Sequence, residues 1–175
     1  MKRLILLRHA KTEPWHEGID DHGRALTERG QDDAARVAEA LRTAGFLPDR
    51  ALVSTARRAR ETWSVAASIL SDATMDLADD LYLASPDMIE DVIARGGAAD
   101  TLIVVGHNPG LYDLACRLLR RGGSLDEEAA NRLWEKFPTG CAAVFEAQDE
   151  GSLKSGSFQL LALFRPRDLG GGRAA

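Results

Sequence analysis

Apolar residues follow two rhythms along this chain, and the rhythms alternate. Leu4–Leu7, Ala51–Val53 and Thr101–Val105 are continuous runs with no polar residue at every second position. Such runs predict strands buried on both faces, as in a parallel sheet. Between the first two runs, Ala34, Val37, Ala38 and Leu41 recur at helical spacing. Thr27 predicts the N-cap of that helix, Asp32 and Asp33 lie near its positive end, and Gly45 predicts its stop. A second helix is predicted from about Ala56 to Leu70. Ser85-Pro86-Asp87 supplies an N-cap, a first-turn proline and an acid for a third helix, which ends near Gly96-Gly97. Asn108-Pro109 opens a fourth through Arg120, and Asp126–Lys136 predicts a fifth. Leu77 falls in a short strand. Ala142–Ala147 and Phe158–Phe164 are β-rich with no helical stretch between them, which predicts an antiparallel hairpin.

Strands alternating with helices predict an α/β domain, three layers α/β/α, with a mostly parallel mixed central sheet. No internal repeat or linker interrupts residues 1–169, so a single domain is expected. Residues 170–175 read as a frayed, disordered tail.

Composition narrows the partners. With 45% hydrophobic and 28% charged residues, the 175-residue chain has enough apolar material for a core. A formal net charge of −5 argues against nucleic acid and anionic membrane as general partners. No segment approaches the roughly 20 apolar residues of a membrane helix, and Leu4–Leu7 is too short for a secretion signal. Cys116 and Cys141 lack metal-ligand spacing and read as reduced thiols of a cytoplasmic protein. A monomer is expected.

Candidate chemistry sits where the strands end. In open α/β sheets, ligands bind beyond the carboxyl ends of the strands. Arg8-His9 ends the first predicted strand, Ser54 with Arg57-Arg58 follows the second, and His107-Asn108 ends a third. Arginines and histidines converging on one crevice suit a dianion, because guanidinium forks bind phosphate oxygens by charge-assisted hydrogen bonds. A neutral imidazole can also attack phosphorus and carry the phosphoryl group. Side chains would supply the positive charge, so no metal or other cofactor is expected. No phosphate-binding glycine loop, HxxxH or CxxC pair is present.

Other residues have plainer readings. Arg57 and Arg60 suit a solvated helix face, and His16 and His22 suit the surface of the loop spanning residues 11–25. Asp20-Asp21 reads as a solvated acidic pair. Trp15 is expected to pack that loop down, and Trp63 and Trp134 to pack helices. The loop is long enough to cover a site.

At these residues the chain resembles the histidine phosphatase superfamily, whose fold is phosphoglycerate mutase-like. The first motif of that family is matched by Leu7-Arg8-His9-Ala10. The second is matched by Ser54-Thr55-Ala56-Arg57-Arg58-Ala59-Arg60-Glu61-Thr62, and the third by Val105-Gly106-His107. The register of the second motif selects Arg58 over Arg57. Leu26-Thr27-Glu28-Arg29-Gly30 resembles a further helix start of the family. The turn His107-Asn108-Pro109-Gly110 and the stretch Phe137-Pro138-Thr139-Gly140 resemble the SixA-type phosphohistidine phosphatases. The resemblance implies His9 as nucleophile, with Arg8, Arg58 and His107 on the phosphate oxygens. Asn108 has two readings, a contact to substrate and a cap of the helix that follows it.

One feature of the larger branches has no clear counterpart, a mid-chain acidic proton donor. Glu13, Asp79 and Asp80 are the candidates. An alkoxide leaving group needs that proton, whereas the imidazole of phosphohistidine can leave neutral. The expected substrate is therefore phosphohistidine on a signalling or phosphotransfer protein. A small phosphorylated metabolite is the alternative, and a catalytically silent module that binds phosphorylated partners is a second. A mutase ranks lower, since the chain lacks insertions that would enclose its substrate.

Overall fold

The computed structural model describes residues 1–70, 73–149, 153–154 and 157–170. Six strands form one sheet: β1 (Arg3–Arg8), β2 (Arg50–Ser54), β3 (Thr74–Ala78), β4 (Thr101–Gly106), β5 (Ala142–Ala147) and β6 (Phe158–Phe164). Their order across it is β3-β2-β4-β1-β5-β6. β1 to β4 run parallel, whereas β5 pairs antiparallel with both β1 and β6. The helices are α1 (Glu28–Thr43), α2 (Arg57–Leu70), α3 (Pro86–Arg95), α4 (Gly110–Gly122) and α5 (Glu127–Glu135).

The unbroken apolar run of β1 has a two-sided explanation. Leu4 and Leu6 join a core with Ile89 of α3, Leu111, Leu114 and Leu118 of α4, and Leu133 of α5. Ile5 and Leu7 point the other way, into a core with Val37 and Leu41 of α1 and Ala59 and Trp63 of α2. Each such side chain contributes about 1.5–3 kcal/mol by leaving water. The hairpin β5–β6 must also serve both cores, and a register shift at Val144/Phe145 achieves this. Val144 pairs with Ala162 but Phe145 with Leu160, so Leu161 is an extra residue. The extra residue reverses the side-chain alternation, sending Leu160 and Leu163 to one core and Leu161 and Phe164 to the other.

Local signals hold at the helix ends. The Thr27 hydroxyl accepts from the Gly30 N–H at 3.0 Å, and Ser85 accepts from the Met88 N–H at 3.3 Å. Gly30 is there for space: a Cβ on it would lie 2.1 Å from the Lys11 carbonyl oxygen. The first turn of α1 thus rests directly on the backbone just after β1. Two tryptophans depart from expectation. Trp15 is 64% exposed and does not pin its loop. Trp134 is 41% exposed, with the Arg120 guanidinium 5.3 Å from its ring centre. The loop is held by polar contacts instead. Residues 171–175 of the expected tail lie outside the described residues. Among the described residues no helix is long and apolar enough to cross a membrane.

Candidate active site

Parallel pairing of β1 with β4 sets Arg8 opposite Gly106, so the next residues, His9 and His107, emerge side by side. The His9 N–H continues the ladder to the Gly106 carbonyl at 3.0 Å, and the two imidazole centres are 5.2 Å apart. β2 lies on the far side of β4, and its last residue, Ser54, has its Oγ 2.7 Å from His107 Nε2. The sheet therefore gathers the three strand ends that the sequence marks.

His9 is 8% exposed, and its Nδ1 lies 2.8 Å from the Ala10 carbonyl oxygen. A carbonyl can only accept, so Nδ1 carries the hydrogen and Nε2 keeps its lone pair. Burial pushes the His9 pKa down to about 4, and the cations Arg58, Arg8 and Arg24 push the same way. The ring is neutral at pH 7. Burial likewise pushes His107 down to about 3, aided by His9 and Arg58. Thr62 braces the turn beyond His9. It accepts from the Ala10 N–H at 3.0 Å and donates to the Arg58 carbonyl at 2.7 Å. From the other side, the Gly140 N–H donates to the His9 carbonyl at 2.9 Å.

Arg58 is 4% exposed. It donates to the Asp21 carbonyl at 2.6 Å and to Asp21 Oδ2 at 3.1 Å. The Tyr82 hydroxyl donates to the same Oδ2 at 2.7 Å, and Arg24 donates to Oδ1 at 3.0 Å. These bonds, Tyr82 foremost, hold the Asp21 carboxyl down to about 2. Asp21 is thus no solvated residue; it ties the loop to α2 and to the segment after β3. His22 also departs from the surface reading. Its Nε2 lies 3.1 Å from Thr55 Oγ1, and its ring meets the Tyr82 ring edge-on. Arg57 and Arg60 do lie exposed, Arg57 pairing with Glu61 at 2.7 Å.

Arg8 and Asn108 share one acceptor, the Phe137 carbonyl, at 3.0 and 2.9 Å. Arg8 Nε, His107 Nδ1 and Asn108 Oδ1 are buried without a hydrogen-bond partner, three of six such side-chain atoms among the described residues. Buried polar groups are normally satisfied, so their concentration here marks a binding site.

A pocket of about 610 Å³ opens over His9. Arg8, Lys11, Arg24 and Arg58 give it positive charge, and Thr12, Thr27 and Thr139 add hydroxyls. Among the described residues lining it there is no carboxylic acid. His107 reaches the site through its ring contact with His9, and Asn108 through the carbonyl it shares with Arg8. None of the three candidate donors lines the pocket. Glu13 and Asp79 are exposed, and Asp80 pairs with Arg95 at 2.8 Å. Among the described residues, no cluster of three or more His, Cys, Asp or Glu side chains could hold a metal.

Lys11, Arg24 and Tyr82 carry no site signal in the sequence, and Asp21 looks there like a solvated acid. No periodic signal marks a loop residue as a partner of a residue 61 positions away, as Asp21 is of Tyr82. Thr62 lies within the second motif, where its position was the available clue.

The two buried histidines set a stability prediction. Unfolded histidine titrates near 6.5, and these two resist protonation in the folded state until about pH 4 and 3. Below pH 6.5 the unfolded chain therefore binds more protons, and stability falls as pH falls. Each ring contributes a slope of about 1.4 kcal/mol per pH unit between its two pKa values. Denaturant unfolding between pH 7 and 4.5 should show this slope, and His107→Gln should reduce it.

A profile of the histidine phosphatase superfamily (branch 1) matches residues 4–82. An uncharacterized protein of Mycobacterium tuberculosis is 37% identical over 163 residues, 92% of this chain and all of that protein. Two solved structures, each described as a putative phosphohistidine phosphatase SixA, also resemble it. The one from Nakamurella multipartitia is 28% identical with a TM-score of 0.81, covering 94% of this chain and 96% of that one. The one from Agrobacterium tumefaciens is 26% identical with a TM-score of 0.79, covering 94% and 98%.

Proposed function

Because the chain belongs to the histidine phosphatase superfamily, in its SixA-type branch, we propose that it removes phosphate from phosphohistidine on a protein, through a phosphohistidine of its own at His9. The observation that carries this reading is the His9 ring: neutral, with Nδ1–H held by the Ala10 carbonyl, in a pocket lined by arginines. Nε2 is thereby presented as a lone pair, and no base has to remove a proton from it.

Nε2 attacks phosphorus as the N–P bond of the substrate breaks. The bonding electrons go to the substrate imidazole, which leaves neutral when its other nitrogen carries a proton. The phosphorylated His9 ring is then cationic, and Nδ1–H on the Ala10 carbonyl stabilises that charge. Arg8, Arg58 and His107 hold the oxygens of the transferring group. Water then attacks phosphorus from the opposite side. The N–P bond electrons return to Nε2, both water protons stay on the released dihydrogen phosphate, and His9 is neutral again.

The lining bears on the substrate. A phosphoester releases a basic oxygen that a nearby acid would protonate, and the described lining offers arginines, a lysine and threonines instead. That favours a leaving group that is stable without an incoming proton. The test compares a phosphohistidine-bearing protein with an aryl phosphate, EDTA present. We expect much faster hydrolysis of the phosphohistidine. Equal or faster hydrolysis of the aryl ester would move the substrate to small phosphomonoesters. Tight binding with no turnover of either would leave a phosphate-recognition module.

A further inference from the structure

We propose that the pocket holds a second anionic group beside the transferring phosphoryl group, on Lys11 and Thr139, so that the preferred phosphohistidine lies next to an acidic residue. The acidic-residue part rests on the phosphohistidine reading; the second anion site does not.

Charge is the first argument. Four cations line the pocket: Arg8, Lys11, Arg24 and Arg58. The carboxylate bonded to this set is Asp21, which serves both Arg58 and Arg24. The two histidines are neutral. The cations therefore exceed what one phosphoryl dianion neutralises. The protein as a whole carries −5, so the excess is local to this pocket.

Donor use is the second argument, and it says where the extra group sits. Arg24 already serves Glu13, Thr12 and Asp21. The Thr27 hydroxyl donates to the Lys11 carbonyl and accepts from Gly30. Arg58 gives two N–H groups to Asp21, and Arg8 gives one to Phe137. The Lys11 ammonium and the Thr139 hydroxyl remain, with no hydrogen-bond or ion-pair partner among the described residues. Both flank the nucleophile. Lys11 is two residues past His9, and Thr139 precedes Gly140, whose N–H holds the His9 carbonyl. The Lys11 backbone is anchored by the Thr27 N–H at 3.0 Å and by the close approach of Gly30. A cation on a fixed base with a free tip is suited to reach a neighbouring carboxylate or phosphate.

Size agrees. A pocket of about 610 Å³ lies within the range of sites that enclose ligands of many atoms, larger than one phosphoryl group fills.

The first test is binding, by calorimetry at low salt, of methylenediphosphonate against methylphosphonate. The bisphosphonate should bind about tenfold more tightly, the effect of one added charge-assisted contact. Lys11→Gln should bring the two affinities together. Equal affinities in the wild type, or a preference that survives Lys11→Gln, would overturn the site. The second test uses two phosphohistidine peptides, flanked by glutamates or by glutamines. The acidic peptide should have the higher kcat/KM, through KM, and the preference should shrink in Lys11→Gln and in 0.5 M salt. A bisphosphonate preference without turnover of either peptide would keep the site and sink the phosphohistidine reading. Equal turnover of both peptides with equal phosphonate affinities would sink the site and keep that reading.

Discussion

Replacing His9 with alanine should abolish phosphate release, by about 10⁴-fold or more, the scale on which loss of a nucleophile is felt. Among the described residues the ring's hydrogen bond is to its own neighbour, Ala10, and its pKa is already depressed by burial among cations. Removing it takes away the attacking lone pair and little else. The backbone at this position stays pinned by Gly106 and Gly140, so the variant should fold and still bind phosphate. A rapid-quench experiment with labelled substrate separates the cases. Wild type should show label on the protein, released by acid and absent in His9→Ala. A variant with activity within tenfold of wild type would remove His9 from the reaction.

Arg58→Ala should lower kcat/KM by about 10²–10³-fold, the usual loss when a preorganised donor to transition-state charge is removed. Arg58→Lys should recover little, since an ammonium cannot hold both the Asp21 contacts and a phosphoryl oxygen in one plane. Stability should change less than activity. The Asp21 side chain is 38% exposed and keeps Arg24 and Tyr82, so water and those partners soften the loss. Arg57→Ala is the control. Arg57 lies exposed against Glu61 one turn along α2, and its loss should leave turnover near wild type. The pair of variants also tests the motif register that selects Arg58. Steady-state kinetics and inorganic vanadate binding would read both effects.

These residues show how far the chain could be read before its structure. The three strand ends were legible because two-sided burial leaves a continuous apolar run, and such a run breaking into Arg-His or Gly-His is locally conspicuous. Caps at Thr27 and Ser85 were legible for the same reason: each is a short-range hydrogen bond encoded within four residues. The loop was not legible. Its order rests on Asp21 meeting Arg58 and Tyr82, and His22 meeting Thr55, across long sequence separations. Acidic residues in a polar stretch give no hint of such partners, and an exposed tryptophan there suggested packing that does not occur. The placement of β5 beside β1 was equally hidden. Periodicity identifies a strand and is silent on which neighbour it pairs with.

That placement governs the order in which the protein can become active. Arg3 of β1 pairs with Thr101 on one side and with Glu146 on the other. The strand that leads to the proposed nucleophile is thus made well before the strand that closes its second edge. Until Ala142–Ala147 arrive, its apolar residues border an open edge, a template for pairing with the wrong chain. Closing contacts over such separations is slow in any chain, because entropy is lost before the pairing returns it. A nascent chain stopped before Gly140 would also lack that residue's contact on His9. Chemistry at His9 is thus expected to require β5, and activity should appear only once synthesis has passed Ala142–Ala147.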